Sequence, residues 1–251
     1  MLYFLTRLIS ESQALFSACL PSHCLMCGLH SADQLICQHC NQAILTERPC
    51  CLHCGYGLAQ TQNVCGECLK HPFKFNRLVA VSGYQAPFPA LIKKLKYQHQ
   101  LIYGDLLGLL LANIVKQSYS EDQQKQIDYI LPVPLHPKKH RIRGFNQAHL
   151  IADALLKQLP LRAKLVTPID RNKATTAQEG LTRKQRNLNL SNAFSMAVPT
   201  LNLQGKHVVL IDDVVTTGAT INSICECLLS AGVKKVDVWC ISRTELGDQA
   251  N

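Results

Sequence analysis

The sequence predicts an α/β protein with a mostly parallel sheet flanked by helices, preceded by a small cysteine-rich module. Strand-like runs alternate with helical patterns after residue 72, as a parallel sheet requires. Val208 to Ile211 are four consecutive apolar residues, which suits a strand covered on both faces. With 251 residues, 47% of them apolar, the chain can hold the module in residues 1–72 and an α/β domain in residues 73–251.

Paired cysteines dominate residues 1–72. Ten of the 13 cysteines lie between Cys19 and Cys68, and eight of these form CxxC pairs. A CxxC turn points two thiolates at one tetrahedral ion. The spacing therefore predicts two structural Zn²⁺ ions, each held by four thiolates. The predicted ligands are Cys24, Cys27, Cys37, Cys40, Cys51, Cys54, Cys65 and Cys68.

Other uses of these cysteines are weaker interpretations. An iron–sulfur cluster would favour a CxxCxxCxxxCP arrangement, which the chain lacks. Disulfides need an oxidising compartment, whereas residues 1–20 are more typical of an amphipathic helix than of an export signal. The ligand set within each site stays open because five further residues are available: Cys19, Cys50, His23, His39 and His53.

Strands and helices are predicted in alternating order after the cysteine-rich module. The strands are Arg77 to Tyr84, Asp128 to Val133, Ala163 to Ile169, Lys206 to Ile211 and Lys234 to Ser242. The helices are Phe88 to Tyr97, Leu101 to Gln117 and Phe145 to Leu159, with another after Thr220, and the polar stretch Ser118 to Gln126 is a predicted surface connection. No apolar stretch reaches the roughly 18 residues of a spanning helix, so the chain is predicted not to be transmembrane.

The turn after Val208 to Ile211 is suited to a sugar phosphate. The unpaired amides at a helix start bind a phosphate dianion, Gly218 lets the backbone approach, and the nearby threonines add hydroxyl donors. Asp212 and Asp213 can accept hydrogen bonds from ribose hydroxyls or hold water on a divalent cation. A GxxxxGK[ST] loop and a GxGxxG fingerprint are missing. A plain strand–turn–helix unit capped by threonines would not need both acids.

Positive charge is concentrated after the cysteine-rich module. Residues 1–72 hold three basic and four acidic side chains, so the net charge of +9 leaves +10 on residues 73–251. This balance fits a polyphosphate, a nucleic acid or both. Four basic residues follow a predicted strand end, where α/β sheets bind ligands, and can grip a pyrophosphate: Lys138, Lys139, Arg141 and Arg143.

Two motifs together resemble a known family. Residues 208–220 resemble the phosphoribosyl pyrophosphate (PRPP) signature of type I phosphoribosyltransferases, with four apolar residues, two acids, two variable positions and Thr-Thr-Gly-x-Thr. Joined to the Arg-Gly-Phe-Asn-Gln string at residues 143–147 and the paired CxxC knuckles, this signature resembles the ComF family over nearly the whole chain. The stretches 15–28 and 178–187 are also similar. Cys50 and Cys51 depart from the family, which commonly has a single cysteine there.

The resemblance implies binding of Mg²⁺–PRPP by a phosphoribosyltransferase-like domain. It implies catalytic roles for Asp212, Asp213 and Arg143. The long polar stretch 170–190 would close over the substrate as a lid, with Arg183 and Arg186 on the pyrophosphate. The expected PRPP-binding residues are Val215, Thr216, Thr217, Gly218, Ala219, Thr220, Lys138, Arg141, Arg183 and Arg186.

The family also implies a part in DNA uptake during natural transformation. The expected partners are PRPP, single-stranded DNA and other DNA-uptake proteins, and the expected location is cytoplasmic, free or peripheral at the inner membrane. A basic face with an aromatic platform suits unpaired strands, and the chain offers one in Lys93, Lys94, Lys96 and Tyr97. Two alternatives remain: a soluble salvage phosphoribosyltransferase acting on a free base, and a PRPP-binding regulator without catalysis.

Overall fold

The computed structural model describes residues 23–31, 34–44, 48–171, 193–197 and 201–244. The chain forms two compact units, Met1–Thr46 and Glu47–Asn251. The smaller unit contains helix α1 (Gln38–Ile44) and the first four cysteines of the CxxC series. The amphipathic helix predicted for residues 1–20 lies outside the described residues. Within the described ranges, no helix has the length and apolar character needed to cross a bilayer.

A five-stranded parallel sheet forms the centre of the larger unit, in the order β1-β7-β6-β2-β3. Strands β4 and β5 pair separately as an antiparallel ribbon. This arrangement confirms the predicted mostly parallel α/β fold. The strands are β1 (Arg77–Gly83), β2 (Tyr129–Pro132), β3 (Lys164–Leu165), β4 (Ile169–Arg171), β5 (Phe194–Met196), β6 (His207–Val215) and β7 (Lys235–Arg243).

The described helices of the larger unit flank this sheet or lie in the connections between its strands. They are α2 (Gly66–Lys70), α3 (Phe88–Gln98), α4 (Ile102–Ser118), α5 (Glu121–Lys125), α6 (Pro137–Arg143), α7 (Gln147–Leu156) and α8 (Ala219–Ser230). Strand β6 lies between β7 and β2, and its residues Val208 to Ile211 are completely buried. Because the sheet covers β6 on both edges and the helices cover its faces, the four-residue apolar run has the environment that its composition predicts.

Two of the predicted loops contain short helices. The basic loop after β2 forms α6, because His136 caps the helix through Lys138 N, Pro137 occupies its first turn, and Gly144 ends it at φ 78°. The predicted connection at residues 118–126 contains α5, which begins with a reciprocal Ser120–Gln123 capping box. Capping residues thus outweighed the polar composition of both segments.

The strand predicted for Ala163 to Ile169 is divided in the structure. Only Lys164–Leu165 pairs with β2 in the main sheet, whereas Ile169 pairs with Met196 in the antiparallel ribbon. Pro168, which has no backbone N–H to donate, lies between the two strands. The strand predicted for Lys206 to Ile211 is longer than expected and continues to Val215.

Helices α4 and α7 pack closely at Gly108. A Cβ atom at this position would lie 2.5 Å from the Ala154 Cβ and 2.8 Å from the Ile151 carbonyl oxygen. We therefore expect Gly108→Ala to lower the free energy of unfolding by about 1–3 kcal/mol, since the helices must move apart. Urea denaturation followed by circular dichroism measures this change.

Gly66→Ala is the matched control for this substitution. A Cβ at Gly66, in the first turn of α2, meets nothing within 4 Å, and alanine is the better helix former. Its unfolding midpoint should equal or exceed that of the unsubstituted protein. Equal stability of the Gly108→Ala variant and the unsubstituted protein would contradict the close packing of α4 on α7.

Candidate sugar-phosphate site and cysteine clusters

Residues 216–220, which form the turn after β6 and the first two residues of α8, are here named the Thr-Gly loop. Gly218 has φ 76° and caps α8, and Ala219 N donates to Thr217 Oγ1 at 3.4 Å. A Cβ on Gly218 would lie 2.6 Å from Cε1 of Phe73. Both the positive φ and this contact require glycine. Helix α8 therefore begins directly after Gly218.

Arg243 donates hydrogen bonds to backbone carbonyl oxygens at the start of the Thr-Gly loop. This residue ends β7 beside Val215 of β6 and is 3% exposed. Its Nη1 donates to the carbonyl oxygens of Val215 at 3.1 Å, of Thr216, and of Thr244 at 3.3 Å. Its Nε donates to the Cys54 carbonyl oxygen at 3.1 Å. The Nε and Nη1 groups of this buried guanidinium thus donate to backbone oxygens.

The acid pair at the end of β6 is divided electrostatically. Burial, together with the neighbouring charge of Asp213, raises the pKa of the Asp212 carboxyl well above its ordinary value. Burial also acts to raise the pKa of Asp213, but the ammonium of Lys96 outweighs it and holds that pKa below its ordinary value. The ion pair with Lys96 thus favours the ionised form of Asp213.

A network from two helices holds the Asp213 carboxylate. Lys96 of α3 forms an ion pair with its Oδ2, the two side chains being 19% and 5% exposed. Gln147 of α7 donates from Nε2 to Asp213 Oδ1 at 3.2 Å, and Arg143 Nη1 donates to the Gln147 Oε1. Asn146, which caps α7, donates to the Val133 carbonyl oxygen at 3.0 Å. Together these contacts fix the start of α7 beside the acid pair.

More positive charge surrounds the acids. Desolvation and the charges of Arg171, Arg143 and Lys96 lower the pKa of Lys139, so these three cationic side chains act electrostatically on Lys139. Desolvation also lowers the pKa of Arg171, opposed by the charge of Asp212. Such a grouping of cations is suited to a polyanion.

The other predicted site residues are distributed unevenly. Lys138 and Arg141 are exposed on α6, Thr216 is exposed, and Val215 is buried. Arg183 and Arg186 lie outside the described residues. The roles predicted for these residues remain predictions.

Eight cysteines form two clusters. Within each cluster all four Sγ atoms lie within 4.8 Å of one another. A Zn–S bond of about 2.3 Å in tetrahedral geometry places sulfurs about 3.8 Å apart. The Sγ–Sγ distances within these clusters include 3.8 Å for Cys27–Cys37, 3.9 Å for Cys51–Cys68, 3.7 Å for Cys54–Cys65 and 3.6 Å for Cys65–Cys68. Both clusters therefore fit structural Zn²⁺.

The composition of the clusters shows which of the candidate cysteines and histidines lie together. The first contains Cys24, Cys27, Cys37 and Cys40, and the second contains Cys51, Cys54, Cys65 and Cys68. Cys51 rather than Cys50 belongs to the second cluster, and its Sγ accepts a hydrogen bond from Cys65 N at 3.3 Å. Three histidines available from the sequence, His23, His39 and His53, belong to neither cluster. His53 instead lies with Nε2 2.9 Å from the Phe75 carbonyl oxygen.

Sequence reasoning missed several residues of the site. It assigned Lys96 to a DNA-binding face and gave no role to Gln147 or Arg243. Lys96 and Asp213 are far apart in the chain, so no local spacing could pair them. Gln147 was visible as the last residue of the Arg-Gly-Phe-Asn-Gln string, and its position at the start of α7 was the available signal.

Two domain profiles match the chain. The profile described as a phosphoribosyl transferase domain matches residues 146–245, and the one described as a double zinc ribbon domain matches residues 15–69. With the parallel sheet and the two cysteine clusters, these matches define a phosphoribosyltransferase-fold protein with an amino-terminal double zinc ribbon.

Curated relatives identify the family. A "DNA utilization protein YhgH" of Escherichia coli O6:H1 is 36% identical over 228 residues, covering 89% of this chain and 98% of that protein. "Competence protein F" of Haemophilus influenzae is 36% identical over 222 residues, covering 88% and 96%. The chain belongs to the ComF family, which confirms the resemblance seen in the sequence. Among solved structures, a hypoxanthine phosphoribosyltransferase from Staphylococcus aureus gives a TM-score of 0.36 at 14% identity, covering 54% of this chain and 62% of that one.

The adjacent Cys50 and Cys51 provide a test of the second metal centre. Elemental analysis of the purified protein should give about two zinc ions per chain. Cys51→Ser should lose one of them because serine replaces a thiolate of the cluster. Cys50→Ser is the control and should keep both. Loss of zinc from the Cys50→Ser variant, or a single ion in the unsubstituted chain, would contradict the assignment.

Proposed function

We propose that this protein binds Mg²⁺–PRPP, with the 5′-phosphate on the Thr-Gly loop and the ribose on the acid pair. The observation that carries the proposal is the Asp213 carboxylate, ion-paired with Lys96 at the end of β6, which is followed by a glycine turn that starts a twelve-residue helix. A helix start suits the phosphate, and the carboxylate oxygens suit the ribose hydroxyls. Val215 and Ala219 are the proposed backbone contacts on either side of Thr216, Thr217 and Gly218, with the hydroxyl of Thr220 as a further donor.

Asp213 already has three partners. An ionised carboxylate has about four acceptor positions, and Lys96, Gln147 and the Asp212 carboxyl use three of them. Asp213 is buried and Asp212 is half-buried, so Asp212 is the more accessible acceptor for a ribose hydroxyl. The oxygen atoms of Asp212 and Asp213 are also the ligand type that Mg²⁺ prefers, directly or through water, and the ion would neutralise charge on the pyrophosphate.

The pyrophosphate of PRPP would face the cationic side chains. The acid pair interacts electrostatically with Lys139, Arg171 and Lys96, and Arg143 interacts with Lys139 and Lys96. Positive groups fixed before binding stabilise the negative charge that develops on a departing pyrophosphate. Lys138, Arg141, Arg183 and Arg186 are proposed as further contacts to this leaving group.

We also propose that single-stranded DNA binds to the exposed basic surface of the larger unit. Lys93 and Tyr97 are exposed on α3, and Lys138 and Arg141 are exposed on α6. An aromatic ring among basic side chains suits unpaired strands. The names of the relatives concern competence and DNA utilization, which supports action with DNA-uptake proteins on the inner side of the membrane.

Salvage of a free base is the second candidate function. A cavity of about 500 Å³ adjoins the loop after β2 and includes Pro134, Phe145, Asn146 and Asp170 in its lining. Its aromatic and polar groups suit a planar base. Incubating the protein with Mg²⁺, PRPP and single free bases would test this candidate. Release of pyrophosphate with one base would support salvage, and binding of PRPP without turnover would support the non-catalytic alternative.

Replacing both acids tests the PRPP site. Asp212→Asn combined with Asp213→Asn should weaken Mg²⁺–PRPP binding at least about ten-fold in calorimetry, because hydrogen bonds to charged groups contribute about 1.5–3 kcal/mol each. Inorganic pyrophosphate is the control ligand, and its binding should persist because the cationic side chains are unchanged. Unaltered PRPP affinity in a folded, zinc-loaded variant would refute the assignment.

Salt dependence tests the DNA proposal. The logarithm of the affinity for an oligothymidylate should fall linearly with the logarithm of salt concentration. Lys93→Ala should reduce the slope by about 1 while leaving PRPP binding intact. Lys125→Ala is the matched control, since this exposed lysine is already paired with Glu121 and Asp122. An affinity that does not respond to salt would exclude phosphate contacts.

A further inference from the structure

We infer that Arg243 is a positioning residue that orients the Thr-Gly loop and couples it to the second cysteine cluster, so that metal binding and sugar-phosphate binding strengthen each other. The inference rests on the proposed function in one respect, namely that the Thr-Gly loop receives a sugar phosphate. Arg243, the Thr-Gly loop and the second cysteine cluster all lie within the larger unit.

Arg243 contacts the carbonyl groups of the two peptides that carry the amides of Thr216 and Thr217. Its guanidinium attracts the carbonyl oxygens of Val215 and Thr216. In a planar trans peptide the carbonyl and the following N–H point in opposite directions. The N–H groups of Thr216 and Thr217 are therefore directed away from Arg243, as donors for a ligand on the other side of the loop. Losing the guanidinium would release the Thr216–Thr217 peptide to rotate, whereas the Val215 carbonyl oxygen would still accept a hydrogen bond from Thr244 N at 3.1 Å.

The same guanidinium is attached to the second cluster. Its Nε donates to the carbonyl oxygen of Cys54, whose Sγ belongs to the cluster. Four thiolates outweigh the charge of one Zn²⁺, so a loaded cluster is anionic and attracts a buried guanidinium. Metal loading thus holds Cys54 and one end of Arg243 in place, while the other end holds the loop.

A second route connects the cluster and the loop. His53, the neighbour of Cys54, lies with Nε2 2.9 Å from the Phe75 carbonyl oxygen. The Phe75 ring stacks on Phe73 with centroids 4.9 Å apart. Phe73 in turn packs against Gly218 of the loop. All four cysteines of this cluster also share a buried core with Val215 and Ile221, on either side of the loop.

Thermodynamic linkage makes the coupling measurable. If a metal and a sugar phosphate stabilise the same arrangement, each must raise the affinity for the other by the same factor. Ribose 5-phosphate is the probe, because it carries the 5′-phosphate and does not need Mg²⁺, which a chelator would remove. Zinc retained by the full-length protein is titrated against a competing chelator, with and without saturating ribose 5-phosphate.

One of the two zinc ions should be held about 5-fold or more tightly when ribose 5-phosphate is present, at the lower end of usual coupling between sites. The other zinc ion is the internal control and should be unaffected. Cys51→Ser, which lacks the second cluster, identifies the shifted ion, since its remaining zinc should not respond. Equal zinc affinities with and without bound ribose 5-phosphate would overturn the inference.

Arg243→Lys separates positioning from simple support of the fold. Lysine keeps the charge but cannot reach the Cys54 carbonyl and the loop carbonyls together. The variant should bind ribose 5-phosphate more weakly and lose the coupling. A stability loss with the coupling factor unchanged would contradict the inference.

Phe73→Leu gives a second measurement should the lysine variant not fold. It should reduce the coupling factor through the Gly218 contact, and an unchanged factor would overturn that route. Calorimetry with ribose 5-phosphate distinguishes a failure of the proposed function from a failure of this inference. Absence of ribose 5-phosphate binding to the unsubstituted protein would overturn the proposed function and this inference together, whereas binding without coupling would overturn the inference alone.

Discussion

The buried negative charge of Asp213 constrains the arrangement of the whole site. An uncompensated charge in this position would be strongly destabilising, so its partners must be held in place by the fold. Lys96 comes from α3 and Gln147 from the first turn of α7. The ends of β6, α3 and α7 must therefore meet in one register before the carboxylate is tolerated, and the site forms only when the packing around the sheet is complete.

Much of the fold could be predicted because local patterns and tertiary structure agree. The Val208 to Ile211 run, the alternation of elements and the CxxC spacing each report a property of neighbouring residues. The division between β3 and β4 and the helical turn of α6 depend on Pro168 and on capping by His136 and Gly144, which composition alone does not weigh. Among the site residues, the acids and the glycine turn lie together in the sequence. Lys96 and Arg243 join the site only through the sheet and its flanking helices.

The two cysteine clusters differ in their setting although their motifs are similar. Cys24 and Cys40 belong to the smaller unit, whereas Cys51 and its partners lie in the hydrophobic core that also contains residues of β6 and α8. The predicted division into residues 1–72 and 73–251 stays a prediction, and by contacts the chain forms two compact units, with the division after Thr46. The paired CxxC motif therefore belongs to the smaller unit in the first cluster and to the main hydrophobic core of the larger unit in the second.

The parallel pairing of β6 limits how this protein could be assembled from smaller pieces during evolution. The transferase profile begins at residue 146, yet β6 and β7 pair with β2 and β1, which precede that residue. A segment starting there would carry two unpaired strand edges, both open to aggregation. The matched segment is therefore not a complete sheet by itself, and it needs the upstream strands β1 and β2 to cover both edges of the β6–β7 pair.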